Sequence, residues 1–548
     1  MKRYVIGIDY GTLSGRCVLV DAECGVEVAQ SVLPYAHAVM DKALPCGAPL
    51  PPDYALQHPQ DYLDVLRVTV SDVLHKSGVR PEEVLGIGID FTASTLLPIN
   101  EDGEPLCFLP NFEQNMHAYA KLWKHHAAQY AADEINALAK ERGEEWLARY
   151  GGKTSCEWAF PKILQILREA PEVYDAAHSF IEAADWISLC LTGKHTRSAA
   201  FAGYKWLWDA ENGYPSNEFF RALDERFDGI IGTKVCTNVL AAGGVAGLID
   251  SRGASLTGLC EGTVVAVPMI DAHAAMPALN VTEGGDLMLV LGTSACHILN
   301  SDKQVRVDGI CGYVKDGVIP GLLTYEAGQS GVGDIFDWFV KTCVPANYLE
   351  EAASLGVSIH KILRDKAMKL TPGQSGLLAL DWHSGNRSVL VNSNLSGLVM
   401  GLTLATTPEE IYRALIEATA FGLKVIIDRF ESSGIEIKSI CAAGGIALKD
   451  EMLMQIYSDV LAKEINVSSS TQAAALGSAV YALVAAGIFE SVEAAARHIA
   501  KPYVKTYLPI EKNVRIYGEL YAEYKLLHDY FGTASGIMER LKAIRDAK

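Results

Sequence analysis

The chain has 548 residues, of which 49% are hydrophobic and 21% are charged, a composition typical of globular proteins. This length exceeds what one hydrophobic core usually supports, so we expect two or more domains. The formal net charge of −19 argues against a nucleic acid or an anionic membrane as partner, because both are polyanions.

The twelve cysteines are scattered along the chain, and their spacing matches neither a CxxC motif nor a zinc site. We interpret them as reduced thiols of a cytoplasmic protein. The apolar run at the N-terminus is interrupted by Asp9, which indicates a strand rather than a signal peptide.

The first half of the chain is predicted to begin with a β-meander that leads into a mixture of helices and strands. The apolar periodicity predicts strands over residues 4–9, 17–21, 27–34 and 84–90, and helices over residues 59–77, 115–139 and 158–167.

A stretch of small residues, 243–262, predicts the change of domain, and we place the boundary between residues 260 and 261. A new strand-led unit follows from residue 263. Thr407, Pro408 and Glu410 form a strong helix start, with threonine at the N-cap and glutamate three residues later. Further helices are predicted at 453–461 and 517–527. The Ala- and Gly-rich stretch 473–489 is short for a membrane span and predicts a closely packed buried helix.

Two short turns of glycine and hydroxyl residues, each between two apolar strands, are the most informative feature of the sequence. The first contains Gly11, Thr12 and Ser14, and the second is the run Gly292–Ser294, which includes Thr293. Glycine lets the backbone approach an anion, and backbone N–H groups and hydroxyls then donate to it. Two such turns half a chain apart indicate two related lobes that bind one polyphosphate.

Two aspartates at predicted strand ends carry the candidate chemistry. Asp9 beside a phosphate turn implies a bound Mg²⁺, held directly or through water, although an Asp in a turn also commonly accepts backbone N–H bonds. Asp271 follows an apolar strand and precedes a helix. It is either a helix N-cap or the base that removes a hydroxyl proton during phosphoryl transfer.

Several glycine-rich segments allow two interpretations. Gly444 and Gly445 precede a helix and are either loop glycines or the place where an adenine lies against bare backbone. The run from Glu326 to Gly333 combines polar side chains with three glycines, which is more than a simple turn needs. The chain contains neither a Walker A loop nor a complete G-x-G-x-x-G fingerprint.

These features stand within longer motifs that resemble the FGGY carbohydrate kinases, in particular members that phosphorylate ketopentoses. The matching stretches cover nearly the whole chain in family order and include GIDYGTLSGR, GIDFTASTLLPI, NMHAYAKLWKHH, AGYKWLW, MIDAHAAMPAL, LVLGTSACHIL, EAGQSGVGDIFDWF, LDWHSGNRS and CAAGGIALKDEMLMQIYSDVL.

The resemblance implies an α/β, two-domain actin-like ATPase fold of the ribonuclease H-like type, with a cleft between the domains. It implies an N-terminal sugar-binding lobe over residues 1–260 and a C-terminal nucleotide-binding lobe over 261–548. It also implies an ATP- and Mg²⁺-dependent enzyme of the cytoplasm, with a homodimer as the expected assembly. The implied reaction is phosphorylation of L-ribulose at the C5 hydroxyl, in L-arabinose catabolism.

Carried over by motif, the resemblance makes Asp271 the catalytic base and Asp9 the residue next to the metal. The implied sugar-binding residues, besides Asp271, are Ala93, Trp123, Lys205 and Glu326. The implied nucleotide-binding residues are Gly11, Thr12, Ser14, Gly292, Thr293, Ser294, Gln329, Gly333, Gly444 and Gly445. His125 stands where these kinases usually carry Asp, so a sugar contact at that position is not expected with the same chemistry.

Two other functions remain open at this point. A kinase for another ketopentose or polyol, such as xylulose, D-ribulose or glycerol, differs in only a few sugar contacts. A non-catalytic actin-like ATPase that senses a sugar would use ATP to switch conformation, and Asp271 disfavours it.

Overall fold

The computed structural model describes residues 2–470 and 472–547, which form mixed α/β structure. The strands are β1 Tyr4–Tyr10, β2 Ser14–Asp21, β3 Glu27–Pro34, β4 Leu56–Gln57, β5 Val84–Phe91, β6 Leu96–Ile99, β7 Ala120–Lys121, β8 Ser179–Glu182, β9 Arg197–Ser198, β10 Val239–Leu240, β11 Val245–Leu248, β12 Val264–Ala266, β13 Met269–Ile270, β14 Asp286–Leu291, β15 Ala295–Ser301, β16 Gly312–Lys315, β17 Leu323–Gln329, β18 Leu378–Leu380, β19 Leu398–Met400, β20 Ser439–Ala443, β21 Ile465–Ser468 and β22 Tyr503–Tyr507.

The helices connect these strands and cover their faces. They are α1 Pro59–Ser77, α2 Gln129–Arg142, α3 Ala159–Glu169, α4 Pro171–Ala176, α5 Ala183–Thr192, α6 Ala199–Lys205, α7 Asn217–Leu223, α8 Ile230–Thr233, α9 Ser251–Thr257, α10 Asp271–Ala278, α11 Gly333–Thr342, α12 Ala346–Leu355, α13 Ile359–Ala367, α14 Pro408–Ser432, α15 Gly445–Lys449, α16 Glu451–Leu461, α17 Ala473–Ala485, α18 Val492–Ile499, α19 Glu511–Asp529 and α20 Ile537–Asp546.

The chain divides into two compact units, and each is assembled from separate stretches of sequence. Unit 1 consists of Met1–Gly284, Tyr313–Thr324 and Gln472–Lys501, and unit 2 consists of Gly285–Gly312, Tyr325–Thr471 and Pro502–Lys548.

The central sheets of the two units repeat one arrangement. In unit 1 the strand order is β11-β12-β5-β1-β2-β3, with β1 antiparallel to β2 and parallel to β5. In unit 2 the order β17-β15-β14-β20-β21-β22 places β14 antiparallel to β15 and parallel to β20. Each sheet therefore contains one hairpin whose first strand also pairs with a later parallel strand. The two glycine–hydroxyl turns connect the strands of these two hairpins.

The boundary that we predicted at residue 260 differs from the division in the structure. Strands β12 and β13 and helix α10, beyond that point, belong to unit 1, and so does the later helix α17. The physical reason is that β12 and β13 pair with β5 and that α17 packs closely on the same sheet. A Cβ at Gly7 would lie 1.9 Å from the carbonyl oxygen of Ala475, and a Cβ at Gly88 would lie 1.9 Å from that of Ser478. Only strands without side chains at these positions admit the helix backbone so closely.

Most of the helices and strands predicted from periodicity are confirmed. The helix start at Thr407 carries a complete capping box with Glu410, and the Ala- and Gly-rich stretch contains the buried helix α17. Within residues 2–470 and 472–547, none of the helices combines the length and apolar character needed to cross a bilayer.

The helix predicted over residues 115–139 is wrong in its first half. Residues Met116–Ala118 form a 3₁₀ turn, Ala120–Lys121 forms strand β7, and helix α2 begins only at Gln129. Strand β7 pairs with both β4 and β6, so sheet pairing decides the conformation of this segment against its helical periodicity.

Candidate active site

The first turn, residues 11–14, connects β1 to β2 in unit 1 and is held by both backbone groups and side chains. The N–H of Tyr35 donates to the carbonyl of Leu13 at 2.9 Å. The N–H of Gly11 donates to the carbonyl oxygen of Ser14 at 3.0 Å. The Gln57 amide donates to the carbonyl of Thr12 at 2.7 Å, and the Trp123 indole donates to its hydroxyl at 3.3 Å. A Cβ at Gly11 would lie 3.3 Å from the carbonyl oxygen of Ser14, a tight but not prohibitive contact. The protein alone therefore demands glycine only weakly here, whereas a ligand that approaches the backbone would demand it strongly.

Three aspartates gather at one edge of the unit 1 sheet, where parallel strands β1, β5 and β13 end. Asp9 on β1 pairs with Asp90 on β5. Met269 on β13 pairs with the same Asp90 from the opposite side of β5, and Asp271 follows two residues later at the start of α10. Burial and the neighbouring Asp9 raise the pKa of Asp90 well above its usual value. Burial also raises the pKa of Asp9, while the Arg16 guanidinium, 3.3 Å away, opposes that shift.

Asp90 is a residue that the sequence reasoning did not single out. It is fully buried, and its Oδ2 accepts a hydrogen bond from the Ser478 hydroxyl at 2.6 Å. A repeat could have revealed it, because Gly7-Ile8-Asp9 recurs as Gly88-Ile89-Asp90 on the adjacent strand.

Asp271 is the first residue of α10, and Ile270 occupies the N-cap position. Its Oδ1 accepts a hydrogen bond from the N–H of Ala272 at 2.7 Å, which fixes the orientation of the carboxylate. The side chain is only partly buried, unlike Asp90 beside it.

Unit 1 also contains most of the residues that we predicted to bind the sugar. Ala93 is partly exposed in a loop whose neighbours Thr92 and Ser94 are buried. Trp123 is 41% exposed. Lys205 ends α6, the helix that packs on β13, and its Nζ lies 5.8 Å from the ring centroids of Tyr204 and Trp158.

His125, which replaces the usual acidic residue of the resembling family, points into the core of unit 1. Its Nε2 bonds with Gln165 Oε1 at 2.9 Å, and its Nδ1 accepts from the N–H of Ala55 at 3.4 Å. The side chain is fully buried, and burial lowers its pKa well below the usual value. Both ring nitrogens therefore have protein partners, and we propose no sugar contact for it.

The second turn, residues 292–294, connects β14 to β15 in unit 2 and is held by backbone groups. The N–H of Gly292 donates to the carbonyl of Ser294 at 3.0 Å. The N–H of Gly333 donates to the carbonyl of Gly292 at 3.0 Å, and the N–H of Val332 donates to that of Thr293 at 2.8 Å. The side chains of Thr293 and Ser294 are exposed.

Gly444 and Gly445 follow β20, the strand beside β14, and they face different constraints. Gly444 has φ of 100°, and a Cβ there would lie 2.4 Å from the carbonyl oxygen of Leu291. Around a Cβ at Gly445 the space is open to 4 Å. Glycine at 444 is thus required by the fold, whereas at 445 the protein itself would accept a side chain.

Gln329, which we predicted to bind the nucleotide, belongs to unit 2. It is buried, its Oε1 bonds with His297 Nε2 at 3.0 Å, and its Nε2 donates to Asp381 Oδ2 and to the carbonyl of Thr419, each at 2.8 Å. Because the amide is committed to this internal network, we do not propose that the side chain contacts a nucleotide. The network instead supports the strand that leads to Gly333.

Glu326, predicted to bind the sugar, belongs to unit 2, whereas the other predicted sugar residues belong to unit 1. It is 4% exposed, and its Oε1 accepts from the Arg387 guanidinium at 2.8 Å. The sequence patterns did not single out Arg387 either, although it lies in the motif LDWHSGNRS.

Comparison with known proteins identifies the class to which these two units belong. The pattern of the FGGY family of carbohydrate kinases matches the chain twice, its N-terminal domain over residues 4–276 and its C-terminal domain over residues 287–486. The chain belongs to the FGGY family of carbohydrate kinases and is an ATP-dependent carbohydrate kinase.

Curated relatives are similar over nearly the whole chain. A protein named ribulokinase from Anoxybacillus flavithermus is 52% identical over 547 residues, which cover 99% of this chain and 97% of the relative. A ribulokinase from Mycolicibacterium smegmatis is 46% identical and covers 99% of this chain and 96% of the relative.

Solved structures confirm the predicted two-domain, actin-like α/β fold. A xylulose kinase from Rhodospirillum rubrum superposes with a TM-score of 0.79 at 22% identity, over 96% of this chain and 98% of that one. A Plasmodium falciparum glycerol kinase with ADP superposes with a TM-score of 0.76 at 18% identity, over 97% and 98% of the two chains.

Proposed function

We propose that the protein transfers the γ-phosphate of ATP to the C5 hydroxyl of L-ribulose, a step of L-arabinose catabolism. The observation that carries the proposal is the partly exposed carboxylate of Asp271, oriented by its own helix, in the same unit as Ala93, Trp123 and Lys205. The relatives named ribulokinase support the choice of sugar.

Asp271 acts as the general base in this mechanism. Its carboxylate accepts the proton of the C5 hydroxyl while the hydroxyl oxygen forms a bond to the γ-phosphorus. The bond between that phosphorus and the β–γ bridging oxygen breaks, and ADP leaves with the electron pair. Ala93, Trp123 and Lys205 hold the sugar, with the ammonium of Lys205 as a hydrogen-bond donor to its hydroxyls.

Each of the two turns offers hydrogen-bond donors to phosphate oxygens. Thr12 and Ser14 on the first turn, and Thr293 and Ser294 on the second, offer hydroxyl donors next to backbone N–H groups. Gly333, Gly444 and Gly445 form the side-chain-free surface for the rest of the nucleotide. The open space at Gly445 supports this assignment, because the protein gives no reason of its own for glycine there.

Asp9 is the residue that would hold Mg²⁺, directly or through water. Among the described residues there is no group of three or more His, Cys, Asp or Glu side chains that forms a metal cage. A single partly exposed carboxylate fits Mg²⁺, which usually binds one or two carboxylates and substrate phosphates. When bound, the ion would neutralise charge on the phosphoryl oxygens.

The assembly and location follow from the same proposal. We propose a homodimer on the strength of the family resemblance, which light scattering in solution would test. We place the reaction in the cytoplasm, where thiols stay reduced, in keeping with the twelve free cysteines.

The direct test compares ketopentoses, aldopentoses and glycerol as acceptors by kcat/KM in an assay of ADP release, since this ratio measures discrimination in the transition state. We expect L-ribulose to give the highest value. A higher kcat/KM for xylulose, D-ribulose or glycerol would mean that this compound, and not L-ribulose, is the substrate. ADP release at the same rate with and without sugar would favour a switch ATPase.

The variant Asp271→Asn tests the role of the base. We expect kcat to fall by about 10²–10⁴-fold, with the KM values for ATP and sugar nearly unchanged, because asparagine keeps the shape but accepts no proton. Asp250→Asn is the matched control, since Asp250 caps helix α9 of the same unit. Equal decreases of kcat in the two variants would mean that Asp271 only starts helix α10 and is not the base.

A further inference from the structure

A fully buried ammonium group lies next to the predicted sugar-binding residues of unit 1. Lys162 is in helix α3 and has no exposed surface. Its Nζ donates to the carbonyl oxygens of Ser94 at 2.6 Å, Leu122 at 2.7 Å and Lys121 at 3.3 Å. These three contacts use the full donor capacity of an ammonium group.

The acceptors lie on two segments that are distant in sequence, and each segment carries one predicted sugar residue. Ser94 follows Ala93 in the loop between β5 and β6, and Leu122 precedes Trp123 after β7. A single side chain thus ties the backbone beside Ala93 to the backbone beside Trp123.

The loop that contains Ala93 needs such support. Ser94 has φ of 59°, a left-handed conformation that costs free energy for a residue with a Cβ. A second buried charge holds the same loop, because Glu182 Oε2 accepts from the N–H of Thr95 at 2.9 Å. Glu182 also attracts the Lys162 ammonium electrostatically.

Burying a lysine in a protein core costs free energy. Burial lowers the pKa of Lys162 to about 7, which reflects the cost of removing the ammonium from water. An apolar side chain of similar length would avoid this cost in a position that served packing alone. The three bonds to backbone carbonyls are what the ammonium adds.

We propose that Lys162 is a positioning residue for the acceptor sugar, which holds the Ala93 loop and the Trp123 segment at the spacing that the sugar needs. The inference rests on the proposed function, because it takes Ala93 and Trp123 as sugar contacts. Lys162 acts through these two segments and does not itself touch the substrate.

The test is Lys162→Met, which keeps the length of the side chain and removes the ammonium. Loss of hydrogen bonds from a charged donor predicts an increase of about 10- to 100-fold in KM for the sugar, with KM for ATP within about twofold of the wild type. Lys162→Gln, which retains N–H donors, should give a smaller increase in KM for the sugar.

Lys234→Met is the matched control for a structural effect. Lys234 also donates to two backbone carbonyls, those of Tyr174 and Ala177, in the same unit. We expect this variant to lower the melting temperature without changing KM for the sugar. Equal changes in KM for sugar and ATP in Lys162→Met, or the same KM change in Lys234→Met, would overturn the proposal.

The outcome is separable from that of the proposed function. If a sugar other than L-ribulose is the best acceptor, the KM comparison is made with that sugar and the inference stands or falls on its own. If L-ribulose is phosphorylated and its KM is unchanged in Lys162→Met, only the inference fails. If neither Lys162 variant folds at 25 °C, Lys162 supports the core as a whole and the proposal is rejected.

Discussion

The two glycine–hydroxyl turns are closed by similar backbone hydrogen bonds. They differ in the surrounding groups, because side chains contribute bonds to the first turn and backbone groups surround the second. In each turn a glycine N–H donates to a serine carbonyl at 3.0 Å. Around the first turn, the side chains of Gln57 and Trp123 bond to Thr12, and one backbone bond runs from Tyr35 to Leu13. Around the second turn, backbone N–H groups of residues 332 and 333 donate, and Gly444 lies against Leu291.

This difference determines how each turn responds to substitution. The hydrogen bonds that side chains make to the first turn can be removed one at a time, while its backbone bonds stay. Around the second turn, a Cβ at Gly333 or Gly444 would lie 2.8 or 2.4 Å from a backbone carbonyl oxygen, whereas a Cβ at Gly292 itself would be in ordinary contact at 3.6 Å. The backbone neighbours of Gly333 and Gly444 cannot move without moving strands. We therefore expect large effects from substitution of Gly333 and Gly444 beside the second turn, and small effects from side-chain substitutions around the first.

The largest effect is expected for Gly444→Ala. The positive φ and the Cβ placed 2.4 Å from the carbonyl oxygen of Leu291 should lower the free energy of unfolding by about 3 kcal/mol. Thermal unfolding monitored by circular dichroism measures it. Gly445→Ala, at the adjacent open position, should leave stability unchanged and raise KM for ATP by about fivefold, because its methyl group meets only the ligand.

Gly518→Ala serves as the control for this pair. Gly518 lies within helix α19, and the space around its added Cβ is open. Alanine there should increase stability by about 0.5–1 kcal/mol through helix propensity, with no change in KM for ATP. An unchanged KM for ATP in Gly445→Ala as well would remove Gly445 from the nucleotide site.

An intermediate effect is expected for Gly333→Ala. Its Cβ would lie 2.8 Å from the carbonyl oxygen of Gly292, so the bond between these residues must lengthen and the second turn must shift. We expect KM for ATP to rise by about tenfold while KM for the sugar stays constant. Isothermal titration with ADP would give the same change in affinity without turnover. An unchanged affinity for ADP would mean that the second turn tolerates movement, and would contradict the expected difference between the two turns.

The smallest effect is expected for Trp123→Phe. The change removes the indole N–H that donates to the Thr12 hydroxyl but keeps an aromatic ring. Loss of one neutral hydrogen bond predicts an increase of about threefold in KM for the sugar. Steady-state kinetics with varied sugar measures it. An effect greater than that of Gly333→Ala would show that the first turn is the more sensitive one.

Local sequence signals predicted those parts of the molecule that depend on neighbouring residues. The strand–turn–strand units, the capped start of α14 and the buried helix α17 are confirmed, because alternation, capping and small-residue composition are properties of short windows. The segment 115–128 shows the limit. Its helical periodicity is overridden because β7 pairs with β4 and β6.

The same limit applies to the candidate site. Asp9, Asp271 and the two turns could be found because each stands at a recognisable junction of strand and turn or helix. Lys162 and Arg387 could not be singled out in this way, since their importance arises from partners far away in the chain, whereas Asp90 repeats the Gly-Ile-Asp pattern of β1 and could have been found from it. Gln329 shows the converse, because a polar side chain in a glycine-rich run proved to belong to a buried network.

The amino-acid order by itself determined the family, the α/β character and the positions of both hairpin turns, since these follow from patterns within a few residues and from motifs read in order. Only the tertiary structure decided which segments share a unit, which carboxylates meet at the edge of the sheet, and which buried ammonium joins two loops. Those pairings depend on strand register and on the close approach of helix to sheet, and both are set by contacts between residues that are from about 40 to several hundred positions apart.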